Sequence, residues 1–532
     1  MGHRISAAAL LRSWGVMELD KRSSLSPSWV AQQAPTRPEA FATSVSPTTS
    51  LPLILALYVL ALVTFATVSN GWGPLHHDMT EAWAWGKEFQ LGYAKHPPFT
   101  AWLVGLWFAV MPRTNWSFYL LSGLNVGLAL AGVWMLASIF LGTFGRMASI
   151  LFLMLTPSFS VWALKFNVNA PLISTWPWTT YFFLRSLETR RIDFSLLAGL
   201  AGAIALLTKY YSLALFATLL LVAVLHPDRR RYFTSAAPYL TNTIGLLTVA
   251  PHAWWTIAAG FPTIDYAISK TEFAAEFARA TSIKTIASAI ATLGIAAGSY
   301  AFAFGRAQSV ILLRNSVKAT FNVKNAWLTC LAHGPLLLTI AAHVFANARI
   351  TTGFLLPAFF ALPTVFLVLS RADVNVAVAH RLVFCVGALW LAVVAASPLI
   401  AYYDFAFGNQ ANVEPRREVV VEATRLWNDT FGKPLRYVSG EVALATAVTF
   451  YSSDSPSYFI HHKPEYSPWV TVAHANKEGV LFICRESTDW CIGSAATYAG
   501  PTAIRSTHEV ITHFLGRAGR PHRFVLIMRP PG

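Results

Sequence analysis

The chain has 532 residues, of which 55% are hydrophobic and only 12% charged, with a mean hydropathy of +0.48. Soluble domains carry about twice that share of charge, so a soluble globular protein is excluded and a polytopic membrane protein is indicated. In such a chain a formal net charge of +15 belongs first to Lys/Arg-rich cytoplasmic loops, and no compact basic tract or zinc-finger spacing points to nucleic acid.

Residues 1–49 are rich in Ser, Pro, Ala and Arg and have no long apolar run. They read as a disordered cytoplasmic tail with no cleavable signal pattern, and Met17 offers a second start. The run "LPLILALYVLALVTFATVS" is then an uncleaved first span whose far end emerges outside. The loop after it, 70–115, contains "LHHDMTEAWAWGKEFQLGYAKHPPFTAWL", which collects His76, His77, Asp78, Glu81, Lys87, Glu88, Lys95 and His96 in an otherwise apolar chain. Within it "PPFTAWLVGLWFAVMP" is short for a span, and counting it as one would turn the later basic loops outward. It is therefore expected to be a juxtamembrane or re-entrant helix.

Spans are expected at 117–142, 147–164 and 171–187, the last ending at the basic "RSLETRR". Between that cluster and "HPDRRR" the chain must cross twice, because both ends are cytoplasmic. The turn falls at "TKYY" and brings Lys209 to the face that carries Asp78. The same count puts Asn167 and Asn169 of "KFNVNAP" on that face. Spans at 236–258 and 285–305 flank an external loop with Asp265, Tyr266, Lys270 and Glu272, and "FGRAQSVILLRNSVKATFNVKN" is a basic cytoplasmic linker. Spans at 326–347 and 351–370 join through an external turn holding Arg349, and a last span at 381–402 exits outward.

The expected architecture is an all-α bundle of about eleven spans over 50–402, N-terminus inside, followed at 403–532 by a small extracytoplasmic α/β domain. In that last region strand-like runs such as "GVLFICR" alternate with helix-like ones such as "EVVVEATRLWNDTF". Cys330 and Cys385 fall in apolar runs and read as packing residues. Cys484 and Cys491 share a polar segment and read either as a local disulfide in an oxidising compartment or as two free thiols.

Charged groups at a bilayer face are functional candidates because burying them is costly. Asp78 and Glu81, spaced i, i+3, would share one side of a helix, although Asp78 would also suit a helix N-cap. His76 and His77 could bind a metal with Asp78, but adjacent histidines are weak grounds for one. Trp72, Trp83, Trp85, Trp102 and Trp107 read as an aromatic interface belt. In "KHPP" the prolines would start a helix whose N-terminus favours an anion near Lys95 and His96. Lys209 and Arg349 each read as a snorkelling cation or as a partner for a phosphate.

The ordered set "DMTEAWAWGKEFQLGYAKHPPFTAWL", "LKFNVNAPLISTWPWTTYFFLRSLETRR" and "LAGLAGAIALLTKYYSLALF" resembles bacterial membrane glycosyltransferases related to dolichyl-phosphate-mannose protein mannosyltransferases. That group includes aminoarabinose and rhizobial lipid A galacturonosyl transferases. The resemblance implies the C-type glycosyltransferase fold and a polyprenyl-phosphate-sugar donor. It implies that Asp78 is the loop carboxylate, that Lys209 is the lysine of a "TK" motif, and that His96 occupies the position before "PP". Many relatives have an acid where this chain has Asn169, which can hydrogen-bond but carries no charge. That leaves Asp78, with Glu81, as the base, and Lys209, Arg349, His96 and Lys95 for the donor phosphate. Asn169, Tyr93, Tyr210 and His77 are expected as further substrate contacts, and no metal or other cofactor is expected.

The implied activity is inverting sugar transfer to a lipid A or core sugar, another lipid, a glycan or a protein at the periplasmic face of a bacterial cytoplasmic membrane. A flippase or transporter of a lipid-linked substrate is the alternative, but no internal repeat supports it. A catalytically silent relative that binds a lipid-linked sugar is the other.

Overall fold

The structure is a computed structural model that describes residues 47–272, 274–346, 352–408 and 414–532. The N-terminal tail and Arg349 lie outside the described residues.

The helical part is built from α1 (Pro47–Asn70), α2 (His77–Gly86), α3 (Phe99–Val110), α4 (Asn115–Ala137), α5 (Thr143–Met154), α6 (Leu172–Thr189), α7 (Ile192–Thr208) and α8 (Ser212–Leu225). It continues with α9 (Arg229–Phe233), α10 (Ala237–Ala258), α11 (Pro262–Glu272), α12 (Ala274–Phe304), α13 (Arg306–Thr320), α14 (Ala326–Ala346), α15 (Thr352–Leu355), α16 (Leu362–Ser370) and α17 (Val376–Phe407). Among the described residues five helices are long and apolar enough to cross a membrane, and six if one bent pair is counted as a span.

Two hydropathy expectations change in the structure. The stretch at 147–164 is not one straight helix: α5 ends at Met154, and after Pro157 the chain runs as 3-10 turns bent by 92° from it. Proline removes a backbone donor and cannot continue the preceding helix, and the bend swings Lys165 and Asn167 toward the first loop. The stretch at 351–370 likewise divides into α15, a turn and α16.

The short helix α3 starts directly after Pro97 and Pro98 and crosses α2 at a pair of glycines. A Cβ on Gly86 would lie 2.4 Å from the Ala101 carbonyl, and one on Gly105 would lie 2.4 Å from the Gly86 carbonyl. Only glycine permits that approach.

The C-terminal region contains α18 (Arg416–Phe431), β1 (Tyr437–Gly440), α19 (Val442–Tyr451), β2 (Ser457–Tyr458), α20 (Val472–Glu478), β3 (Val480–Arg485), α21 (Asp489–Ala499), β4 (Ile504–Phe514) and β5 (Arg517–Arg529). The sheet order is β2-β1-β3-β5-β4; β1 is parallel to both neighbours, and β5 is antiparallel to β3 and β4. Alternate residues of a strand face opposite sides. Leu481, Ile483, Phe524, Leu526 and Met528 therefore pack under α18 and α19, while Phe482, Cys484, Val525 and Ile527 pack under α21. The result is a three-layer α/β/α unit, in which Cys484 and Cys491 form a disulfide.

This unit is fastened to the first loop. Ala84 of α2 belongs to the core beneath α19. Thr80 and Thr446 share a hydroxyl hydrogen bond of 2.9 Å, Trp83 Nε1 donates to the Thr449 carbonyl at 3.1 Å, and Tyr451 Oη donates to Asn115 Oδ1 at 2.9 Å. Trp83 and Trp85 are thus buried against protein, which removes them from the expected interface belt. Their spacing in an apolar loop looks the same whether lipid or a folded domain covers them.

Candidate functional site

The first loop, the bend after α5, the turn between α7 and α8, α11, α14 and the start of α19 surround one cavity of about 820 Å³. Eight of the residues expected as base, phosphate partners or substrate contacts line it, namely His77, Asp78, Glu81, Lys95, His96, Asn169, Lys209 and Tyr210, and Asn167 and Tyr266 join them.

Asp78 lies in the first turn of α2, and the N-cap is His76, whose Nδ1 accepts the Asp78 backbone N–H at 3.1 Å. The capping reading of Asp78 therefore fails, and its carboxylate is free to point into the cavity. Oδ2 receives the Lys165 ammonium at 2.7 Å and the Asn167 amide at 3.1 Å, while Oδ1 faces His77 Nε2 at 3.0 Å. Burial opposes the charged carboxylate, but the His77 hydrogen bond and the Lys165 charge outweigh it and hold Asp78 well below the usual carboxylate range. Burial, with Lys165 adding to it, lowers His76 to about 3, so its imidazole is neutral.

From Asp78 a hydrogen-bonded path leads to Lys209. Asn167 Oδ1 accepts from the Asn169 backbone N–H at 2.9 Å and side-chain amide at 3.3 Å, and Asn169 Oδ1 accepts from Lys209 Nζ at 2.7 Å. Lys209 is at the turn between α7 and α8, outside both helices, and its ammonium lies 4.0 Å from the centre of the Phe354 ring. Burial lowers it to about 8, partly offset by Asp78. The neutral Asn169 thus binds the lysine without cancelling its charge.

Glu81, one turn further along α2, is paired with Lys95 at 2.5 Å. Burial disfavours the Lys95 charge, but Glu81 more than restores it, and the net shift is upward. His96 packs edge-on to Tyr266, with ring centres 5.7 Å apart. Tyr210 Oη meets His252 Nε2 at 2.8 Å and Thr263 Oγ1 at 3.1 Å. Thr100, at the start of α3, presents to the cavity a buried hydroxyl without a hydrogen-bond partner. Tyr93 corrects the expectation of a substrate contact: it is 1% exposed, donates its hydroxyl to the Trp85 carbonyl at 2.8 Å, and does not line the cavity. Beyond Lys209 and the Phe354 ring against it, the lining includes the apolar Leu213, Ala214, Leu338 and Ala342.

The sequence reading missed Lys165, although it begins the quoted "KFNVNAP" motif. It also missed His76 as the cap, and Thr263 and Val442 as cavity walls. The bend after α5 brings Lys165 to the loop, α11 brings Thr263 and α19 brings Val442.

Residues 95–255 match the family described as dolichyl-phosphate-mannose-protein mannosyltransferase. No curated protein matches the chain in sequence. Two crystal structures of ArnT from Cupriavidus metallidurans share the fold. The form bound to undecaprenyl phosphate is 15% identical with a TM-score of 0.54, and the apo form is 14% identical with a TM-score of 0.58. Each alignment covers 90% of this chain and 98% of the other. The oligosaccharyltransferase AglB from Archaeoglobus fulgidus aligns at 10% identity and a TM-score of 0.44, over 85% of this chain and 71% of that one. The helical bundle, polar first loop and C-terminal α/β unit around one cavity thus have the fold of the ArnT structures. Within that fold, the sequence match to the mannosyltransferase family lies in residues 95–255.

Proposed function

We propose that the chain is an inverting glycosyltransferase. It moves a sugar from a polyprenyl-phosphate donor to an envelope acceptor at the outer face of a bacterial cytoplasmic membrane, with about eleven crossings and the C-terminal unit outside. The observation that carries this reading is the cavity itself, where a carboxylate and a buried ammonium are joined through Asn167 and Asn169 and an apolar wall continues beyond the ammonium. One end suits a hydroxyl acceptor, the middle a sugar, and the other end a lipid phosphate with its hydrocarbon chain. The ArnT structure that shares the fold was solved with undecaprenyl phosphate, which supports a donor of that class.

In the proposed step the acceptor oxygen forms a bond to the anomeric carbon as the bond from that carbon to the phosphate oxygen breaks. The bonding pair leaves with the phosphate, and the hydroxyl proton passes to Asp78. A single displacement inverts the anomeric centre. A carboxylate held this low is a weak base, which suits a proton that becomes acidic only as the new bond forms. The phosphate departs already anionic and requires positive charge, not a proton. Lys209 supplies that charge, with His96, Lys95 and Arg349 proposed as further donors. Glu81 keeps Lys95 charged, and His77, Asn169 and Tyr210 contact the bound sugar or phosphate. The acceptor is a lipid A or core sugar, another lipid, a glycan or a protein.

The test is mass spectrometry of envelope lipids and glycans from a deletion strain complemented with wild type, Asp78→Asn or Lys209→Ala. A sugar-sized mass is expected to vanish on deletion, to return with wild type and to stay absent with Asp78→Asn. Full recovery with Asp78→Asn would remove Asp78 as the base, and no difference on deletion would favour a silent lipid-binding relative.

A further inference from the structure

His76, His77 and Asp78 offer ligand atoms that all lie within 4.8 Å of one another, a spacing suited to a divalent metal. The chemistry of the group is not. A metal needs nitrogen lone pairs and open carboxylate lone pairs. His76 Nδ1 has its lone pair committed to the Asp78 backbone N–H as the helix cap. His77 Nε2 faces Asp78 Oδ1 at 3.0 Å, and because an ionised carboxylate only accepts, that nitrogen must carry the proton. Oδ2 already takes Lys165 and Asn167. Among the described residues no second carboxylate pairs with Asp78 from the bend, whose polar groups are Lys165 and the neutral Asn167 and Asn169.

We propose that Lys165 is the resident cation of this site: its ammonium occupies the position beside Asp78 that a divalent metal would take, and the site is built to hold Asp78 ionised and oriented without one. Lys165 is a positioning residue that acts through Asp78. The bend after Pro157 is what delivers it, so the irregular segment and the metal-free site are one arrangement. Replacing Lys165 opens Asp78 Oδ2 to a metal, which can then displace the proton on His77 Nε2 and compete with the Asp78 N–H for His76 Nδ1.

The test reads metal content, which does not depend on whether the chain transfers sugar. Full-length protein without a polyhistidine tag is purified in detergent, stripped with EDTA, re-equilibrated separately with Zn²⁺ and with Mn²⁺, and analysed by mass spectrometry of the elements. Wild type is expected to hold far less than one metal per chain. Lys165→Ala should rise to about one, because a vacated set of ligands binds metal when its donors are deprotonated, and Lys165→Ala combined with His77→Ala should return to the wild-type level. Lys165→Gln keeps the side-chain length and serves if the alanine variant does not elute as a monodisperse species. A stoichiometric metal in wild type that is lost in Asp78→Ala, or no gain in either Lys165 variant, overturns the proposal.

Discussion

The most discriminating perturbation is Asn169→Asp, which places an acid at the position where the family resemblance leads one to expect it. Asn169 Oδ1 accepts from Lys209 Nζ at 2.7 Å, so the new carboxylate would pair with that ammonium and raise its pKa. A phosphate oxygen bound on the far side of Nζ would then lie roughly 5–6 Å from the carboxylate, where like charges repel by about 3 kcal/mol at an effective dielectric near 20. That is about a hundredfold in dissociation constant. The assay is binding of undecaprenyl phosphate to full-length protein in nanodiscs, followed by tryptophan fluorescence, with Asn169→Ala as a control that removes the hydrogen bond without adding charge. Asn169→Asp should weaken binding about a hundredfold, and Asn169→Ala by about tenfold or less. Equal losses in the two variants, or tighter binding by Asn169→Asp, would refute the argument that neutrality at this position keeps the lysine available to an anion.

Asp78→Asn should lower transfer by about 10²–10⁴ while changing undecaprenyl phosphate affinity little, as separate rate and binding measurements would show. The lipid phosphate should bind best below the Lys209 midpoint of about 8 and progressively less as the pH rises through it, because the ammonium is then lost; a bound phosphate moves that midpoint upward. A pH titration of binding checks this, with Lys209→Ala expected to be weaker and flat across the same range. Because Asp78 is held below the usual carboxylate range, the transfer rate should show no acid limb from it at the pH where an ordinary carboxylate titrates. Tyr451→Phe removes the hydroxyl that accepts the Leu75 N–H at 2.7 Å and donates to Asn115 at 2.9 Å. It should destabilise the docked C-terminal unit by about 1–2 kcal/mol, seen as faster limited proteolysis between Phe407 and Arg416.

Much of the site was legible because topology is a counting problem. Reading two basic clusters as joined by a double crossing leads one to expect Lys209 near Asp78, and the structure places both at one cavity with Asn169 between them. What could not be read was set by irregular backbone. Pro157 announces a break, but not the 92° bend that carries Lys165 to the carboxylate. Tyr93 has the residue type of a sugar contact and a loop position to match, yet it stacks on Trp85 at a ring distance of 5.3 Å behind the cavity wall. The choice between those fates lies in tertiary packing, which a local pattern does not encode.

The contact between Thr80 and Thr446 spans 366 residues, and Ala84 completes a core otherwise made from residues after 418. During vectorial synthesis the first loop leaves the ribosome long before its packing partner exists. Until the last strands are made, α2 is a ten-residue helix with an uncovered apolar face, too short to hold its shape alone. The helix that carries Asp78 is therefore covered only after α19 has been made, so a product terminated before Val442 would lack that wall of the site.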